Sequence, residues 1–323
     1  WVLQRLAEHG LIKGERIGVD ASTIEANAAL RAIVRRDSGE GYREMLKRLA
    51  VESGIATPTA EELIRLDRQR KGKRLSNQDW TSPVDPEAKI AKLKDGRTHL
   101  AYKPEHAVDL DTGAIVAAEI HAADQGDTGT LPETLKAAQG NLAAVDAGPS
   151  AEEPAELVAD KGHHSCHGLK DLEDGPWKSR IAEKKRPDVS RWHGDEDARR
   201  AVYNNRARLR SGVAREAFKL RAELVERSFA LTLDRGGMRR AWLRGGEDLR
   251  KRYLVHVAGY NLGLIMRLLV GAGTPRGFLP ALSAQLVLLT TTDGTAAFIL
   301  VVVTDTTAAM LVLSLQPEPH GGS

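Results

Sequence analysis

The sequence contains a single cysteine, Cys166, so no disulfide can form within the chain, and a reducing compartment suits it. It also lacks an apolar segment near its start of the kind that forms a secretory signal peptide. The tail has one apolar run, residues 296–303, but eight residues fall well short of the roughly 20 that cross a bilayer as a helix. These absences lead us to expect a cytoplasmic protein without a membrane partner.

Charge is nearly balanced over the 323 residues, at a formal +3, but it is unevenly distributed. Residues 178–252 contain 22 Lys and Arg against 11 Asp and Glu, a balance of +11 that leaves −8 for the rest. A half so rich in cations favours a protein that binds a polyanion. The alternative is a very basic helical surface that is merely solvated.

Two short apolar segments, each with an aspartate near its end, predict buried strands. Residues 16–22 and 155–160 are flanked by turn formers and carry Asp20 and Asp160. An aspartate in this position is ordinarily a turn or helix cap. Two of them on adjacent strands can instead converge on one point.

The remaining elements follow from hydrophobic period and turn chemistry. Residues from about 30 to 97 are charged and Gly/Ser-punctuated, which predicts a surface insertion with helical patches near 42–51 and 60–70. Further along the chain we predict a hairpin over residues 98–124, a helix over 127–139 and another strand over 177–182. A long helix over 196–230, broken near Ser211-Gly212, and an apolar helix over 250–269 follow. This order predicts an α/β fold.

A third acid, Glu226, lies in an arginine-rich helical stretch. Its ordinary role there would be a salt bridge with Arg221 or Arg227. If it instead joins Asp20 and Asp160, their mutual repulsion requires a cation, and hard oxygen ligands favour Mg²⁺ or Mn²⁺. Two such ions about 3.5–4 Å apart serve an in-line phosphoryl displacement. The basic half would then neutralise DNA phosphates.

Five short motifs occur in order along the chain. They are Gly18-Val-Asp-Ala-Ser-Thr23, Ala159-Asp-Lys-Gly-His-His-Ser165, Leu224-Val-Glu-Arg-Ser-Phe229, Gly236-Gly-Met-Arg-Arg240 and His256-Val-Ala-Gly-Tyr-Asn-Leu-Gly-Leu264. The spacing from Asp20 to Asp160 is 140 residues, and that from Asp160 to Glu226 is 66. Over residues 1–277 the chain thereby resembles the DDE transposases of bacterial insertion sequences.

The resemblance implies an RNase H-like fold, a five-stranded mixed sheet flanked by helices. It implies that Asp20, Asp160 and Glu226 are catalytic and bind two Mg²⁺ ions, for which Mn²⁺ can substitute. Family members cut transposon ends and join them to target DNA. This implies double-stranded transposon-end and target DNA as partners, a homodimer in the synaptic complex, and a cytoplasmic, nucleoid-associated bacterial protein. With the basic half, it assigns DNA contacts to Arg221, Arg227, Arg235, Arg239, Arg240, Lys184, Lys185, Arg186 and Trp192.

Some positions depart from the pattern of that family. Phe218 and Leu233 stand where related transposases often have tyrosine and lysine around the glutamate, and His163 stands where tyrosine is common. An arginine between residues 235 and 240 is the candidate replacement for the lysine. We expect the chain to be truncated at its N-terminus, without the DNA-end-recognition region, and residues 278–323 to be a poorly ordered tail foreign to the domain.

Two other patterns carry weaker predictions. The run His163-His164-Ser165-Cys166-His167 suggests zinc, but structural zinc needs four ligands and no second cysteine exists, so a loop beside the active site is favoured. Aromatic residues among arginines can stack on unpaired bases. Of Trp177, Trp192 and Trp242, we expect Trp177 in the core and favour Trp192 for stacking.

Three functions remain open on this basis. The leading hypothesis is the catalytic domain of a Mg²⁺-dependent DNA transposase. The alternative is a catalytically silent DNA-binding remnant of such an enzyme. A stand-alone RNase H-like nuclease that acts on structured nucleic acid is the third.

Overall fold

A computed structural model describes residues 1–70, 76–93, 96–184, 194–270, 297–304 and 307–314. The helices are α1 Val2–Glu8, α2 Tyr42–Glu52, α3 Ala60–Gln69, α4 Asp127–Ala143, α5 Cys166–Leu172, α6 Glu196–Arg210, α7 Gly212–Phe229 and α8 Gly246–Val270. The strands are β1 Arg16–Ala21, β2 Ile24–Glu25, β3 Val34–Arg35, β4 Trp80–Thr81, β5 Lys89–Lys92, β6 Thr98–Asp109, β7 Ile115–Ala122, β8 Ala155–Ala159, β9 Trp177–Ile181, β10 Ala297–Thr304 and β11 Thr307–Ser314. None of the helices in these ranges is long and apolar enough to cross a membrane.

The main sheet contains seven strands and is mixed. β1 pairs antiparallel with β6 and parallel with β8, β6 pairs antiparallel with β7, and β8 pairs parallel with β9. β2 continues the register of β1 along one edge of β6, and β5 lies along the opposite edge, so the seven strands form five columns. The predicted α/β fold with a mixed sheet flanked by helices is confirmed.

Side chains of β1 alternate between the two faces of the sheet. Ile17 and Val19 are fully buried in the core that α4 covers. Gly18 faces α7, where a Cβ would lie 2.6 Å from Leu110 and 3.2 Å from Arg221 Cγ. The missing side chain therefore lets α7 pack closely on β1, next to Asp20.

The segment between β2 and β5 carries α2 and α3, at the helical patches that the sequence predicts. Thr59 caps α3 and forms a reciprocal capping box with Glu62, which fixes where this helix begins. Tyr42 packs edge-on against the buried Trp80, with ring centroids 5.5 Å apart. The side chain of Trp80 belongs to the same core as α7 and α8, so this segment is packed onto the sheet domain.

The predicted break in the long helical stretch occurs at Ser211, whose extended backbone separates α6 from α7. A π-helical turn, Ala230–Arg235, follows α7 and reverses the chain toward α8. The predicted hairpin forms as β6 and β7, with Gly113 at a φ of 83° in the turn. In the tail, β10 and β11 pair with each other in an antiparallel ladder.

Candidate active site

Asp20 and Asp160 lie at the same end of neighbouring parallel strands. Val19 of β1 pairs in register with Ala159 of β8, and each is followed directly by the aspartate. Their side chains are 28% and 44% exposed, so both carboxylates are partly open to solvent. Burial raises the pKa of Asp20, Arg221 opposes that rise, and the negative charge of Asp160 adds to it. The structure thus brings two of the three predicted acids together.

Arg221 of α7 neutralises Asp20. One guanidinium nitrogen lies 2.9 Å from Asp20 Oδ2, and Nε donates to the carbonyl of Val19 at 3.2 Å. The side chain of Arg221 is only 12% exposed. This arginine, which the resemblance assigns to DNA, makes its contacts within the site itself.

His163 links Asp160 to a buried glutamate. Its Nδ1 lies 3.1 Å from Asp160 Oδ1, and its Nε2 lies 3.2 Å from Glu105 Oε1. Burial alone would lower the pKa of His163, but these two bonds raise it to about 9, so the ring is a cation at neutral pH. The bond from His163 holds the pKa of Asp160 well below its usual range, and the N–H of Gly162 also donates to this carboxylate, at 2.8 Å.

Glu105 is fully buried on the α4 face of the sheet and is held by two threonines. The hydroxyls of Thr130 and Thr134 donate to its two carboxylate oxygens at 3.0 and 2.5 Å. Lys103, also buried, places its ammonium 2.7 Å from Asp127 and 2.9 Å from the hydroxyl of Thr130. Buried charges at these positions are tolerated because each one has a partner.

Glu105, Asp127 and His163 each offer one ligand atom within 4.8 Å of the others, so this group could hold a metal ion. A histidine nitrogen among the donors suits a transition metal better than Mg²⁺. The ammonium of Lys103 already contributes a positive charge at Asp127. Any divalent ion in this group would therefore compete with Lys103 and with the proton of His163.

Glu226 lies on α7 with an exposed side chain, directly after the fully buried Val225. The two arginines predicted as its salt-bridge partners pair with other acids: Arg221 forms an ion pair with Asp20, and Arg227 with Glu223. Within the described ranges, only the Glu105 group brings three ligand atoms within 4.8 Å. Asp20, Asp160 and Glu226 therefore do not all offer ligand atoms within 4.8 Å of one another, and the catalytic role of Glu226 stays a prediction.

The other predicted DNA contacts that the structure describes lie on the surface. Lys184, Arg227, Arg235, Arg239 and Arg240 are exposed. Arg227 pairs with its helix neighbour Glu223, Arg239 with Asp234, and Arg240 lies 3.9 Å from Glu25. Lys185, Arg186 and Trp192 lie outside the described residues.

The histidine run does not converge on a zinc site. His163 bonds to Asp160 and Glu105, whereas His167 is 86% exposed on α5 and lies 3.5 Å from Asp171. Ser165 caps α5 by accepting from the N–H of Gly168, which turns Cys166 into the helix. Trp177 is buried in the core, as expected.

Sequence patterns missed the polar layer under Asp160. Lys103 and Glu105 lie two residues apart on β6, so both point to the α4 face. Two charged residues at this spacing, with Pro104 between them, were the available signal in the strand. The threonines of α4 carry no comparable mark, since their partners become visible only in the fold.

Comparisons with models of protein families, with curated protein sequences and with solved structures gave no match. The assignment of function therefore depends on the site and on the motifs.

Proposed function

We propose that this chain is the catalytic domain of a DDE-type DNA transposase, with an RNase H-like fold and Mg²⁺ as its metal. The observation that carries the proposal is the adjacency of Asp20 and Asp160 at the carboxyl ends of β1 and β8. The mixed sheet of five columns agrees with the expected fold, and the two carboxylates lie beside the arginine-rich helix α7.

The donors at this edge fit a hard divalent cation. Asp20 and Asp160 provide carboxylate oxygens that are partly exposed, and burial together with the negative charge of Asp160 raises the pKa of Asp20. Asp20 and Asp160 would hold the metal, and the resemblance implies Glu226 as the third ligand. When bound, the metal would activate a water nucleophile and stabilise charge on the leaving oxygen of a phosphodiester.

The side chains of this chain prepare that edge. His163 and the N–H of Gly162 both bond to Asp160 Oδ1, which fixes the rotamer of this carboxylate. Arg221 opposes the rise that burial causes in the pKa of Asp20. The exposed arginines that follow α7 provide the positive charge that DNA phosphates require.

Cleavage of plasmid DNA that carries transposon ends tests the proposal. Wild-type protein should nick and join such DNA in Mg²⁺ or Mn²⁺, and Asp20→Asn, Asp160→Asn and Glu226→Gln should each abolish both reactions while DNA binding persists. Glu216→Gln is the matched control, because Glu216 is an exposed acid on the same helix. Full activity of the Glu226 variant would overturn the assignment of the triad. Nicking without strand-transfer products would favour a stand-alone RNase H-like nuclease.

The second candidate, a catalytically silent DNA-binding remnant, is favoured by one observation. Arg221 already forms an ion pair with Asp20, and Asp20, Asp160 and Glu226 do not bring three ligand atoms within 4.8 Å of one another. A remnant would bind DNA in a strongly salt-dependent manner and cut none of it in either metal. The plasmid assay, with binding measured in parallel, separates the two candidates.

A further inference from the structure

Trp242 is presented to solvent by a segment that is otherwise anchored. Its side chain is 70% exposed, whereas Met238 and Ala241 on the same segment are 0% and 3% exposed. Large aromatic side chains ordinarily bury most of their surface in a core or an interface. An indole left open beside two buried anchors therefore points to a ligand.

The backbone around Trp242 is held by the segment that begins with β2. Glu25 donates its N–H to the carbonyl of Arg239 at 2.9 Å and accepts from the N–H of Ala241 at 2.7 Å. The amide of Asn27 donates to the carbonyl of Trp242 at 2.8 Å. These bonds fix the backbone of the segment at Trp242, so its side chain leaves the surface from a defined position.

The segment that carries Trp242 is rich in arginine, and one of its arginines bonds to a residue near Asp20. Residues 235–244 contain four arginines and no acid, and of these Arg239 pairs with Asp234 and Arg240 lies 3.9 Å from Glu25. Arg239 donates to the hydroxyl of Ser22 at 3.0 Å, and Ser22 follows Asp20 by two residues. Arg240 is 70% exposed, and Arg244 donates to the carbonyl of Asn27. Positive charge around a flat aromatic face suits nucleic acid, whose phosphates and bases it can contact together.

We propose that Trp242 is a stacking platform for an unpaired base of DNA, with Arg240 and Arg244 contacting the flanking phosphates. The proposal rests on the function proposed above for the identity of the polyanion. A base inside a duplex is stacked on both faces, so only an unpaired base can offer a face to the indole. The platform would therefore prefer DNA with a single-stranded overhang to fully paired DNA.

Fluorescence anisotropy tests this preference in EDTA, with a labelled duplex that ends in a single-stranded 3′ overhang and a fully paired duplex of the same sequence. Trp242→Ala should weaken binding to the overhang DNA by about five- to hundredfold, and leave binding to the paired duplex nearly unchanged. Trp242→Phe should retain most of the affinity because it keeps an aromatic face. Trp1→Ala is the matched control, since Trp1 is 68% exposed and lies at the start of α1.

An equal loss on both DNAs, no loss in the alanine variant, or no binding of wild type to either DNA would overturn the platform. The readout needs no metal and no cleavage, so it separates this inference from the proposed function. If the protein binds overhang DNA selectively but neither nicks nor joins plasmid DNA, the transposase assignment is wrong and the platform stands. Normal cleavage by Trp242→Ala with unchanged overhang binding would sink the platform alone.

Discussion

The guanidinium of Arg221 lies 2.9 Å from Asp20 and bonds to the backbone of the same strand at Val19. A protein cation therefore already lies beside a carboxylate that is expected to bind metal. An arginine and a divalent ion at one carboxylate compete for the same negative charge. Because of this competition, the proposed binding of metal at Asp20 can be tested without DNA.

Replacing this arginine should expose the competition. We expect Arg221→Met to lower the free energy of unfolding by about 1–3 kcal/mol, because the partly buried Asp20 loses its partner. Mg²⁺ should then raise the melting temperature of the variant more than that of wild type. Arg227→Met is the control, because this exposed pair with Glu223 is worth about 0.5 kcal/mol or less. Equal responses to Mg²⁺ in all three proteins would argue against metal at Asp20.

Protonation of His163 should give the fold a distinctive pH dependence. Its pKa is raised from 6.5 to about 9 in the folded chain, so the folded state binds the extra proton between these values. The stability that this proton contributes is complete below pH 6.5 and is lost as pH rises through about 9. Asp160, Glu105 and Asp127 are the anions that hold the proton there.

Urea unfolding at a series of pH values in metal-free buffer measures this effect. Wild type should lose of the order of 1–3 kcal/mol across the window. His163→Gln should flatten the slope, whereas His167→Gln should keep it, because His167 is 86% exposed. A slope in the His163 variant as steep as that of wild type would contradict the protonated bridge.

Lys103 should decide whether the buried group under Asp160 accepts a metal. Its ammonium lies 2.7 Å from Asp127, so Lys103→Met removes the cation beside Asp127, while Glu105 keeps its bond to His163. We expect a loss of about 1–3 kcal/mol of stability in metal-free buffer, and a recovery on addition of Mn²⁺ that wild type does not show. Lys136→Met, at an exposed position of α4, is the control. A variant that Mn²⁺ leaves unstabilised would exclude a latent site.

Gly162 tests how tightly the loop after β8 is packed. A Cβ there would lie 2.3 Å from Asp127 Oδ2 and 2.9 Å from Asp160 Oδ1. Gly162→Ala should therefore displace these carboxylates, cost about 1–3 kcal/mol and reduce cleavage. Gly140→Ala is the control, since nothing lies within 4 Å of a Cβ at that helical position and the change should stabilise by about 0.5–1 kcal/mol. Thermal melts and plasmid nicking of both variants decide the matter.

Local sequence patterns predicted the helices and strands of this fold better than the contacts between them. The strands that carry Asp20 and Asp160 followed from short apolar runs, and the break between α6 and α7 followed from a Ser-Gly pair, because each signal lies within a few residues. The bond between Arg221 and the Val19 carbonyl joins residues 202 positions apart. No local period encodes a contact of that kind.

In the candidate site, too, local patterns predicted single residues but not the contacts between them. Asp160 was expected at a strand end, but its bond to His163 depends on a turn of three residues and on the burial of Glu105 two strands away. The exposure of Glu226 depends on the rotation of α7 about its axis, which Val225 and Phe229 set by packing into the core. Helical spacing alone predicts the helix and leaves that rotation open.

The two threonines of α4 reach Asp160 through Glu105 and His163, so a helix with no predicted catalytic residue supports the chemistry from the opposite face of the sheet. Positions of α4 should therefore differ in how freely they can be substituted. Thr130 and Thr134 can change only if Glu105 acquires replacement donors, while Lys136 on the outer surface is free to vary. Under the proposed function, substitutions at Thr130 or Thr134 should therefore impair DNA cleavage although α4 need never touch DNA.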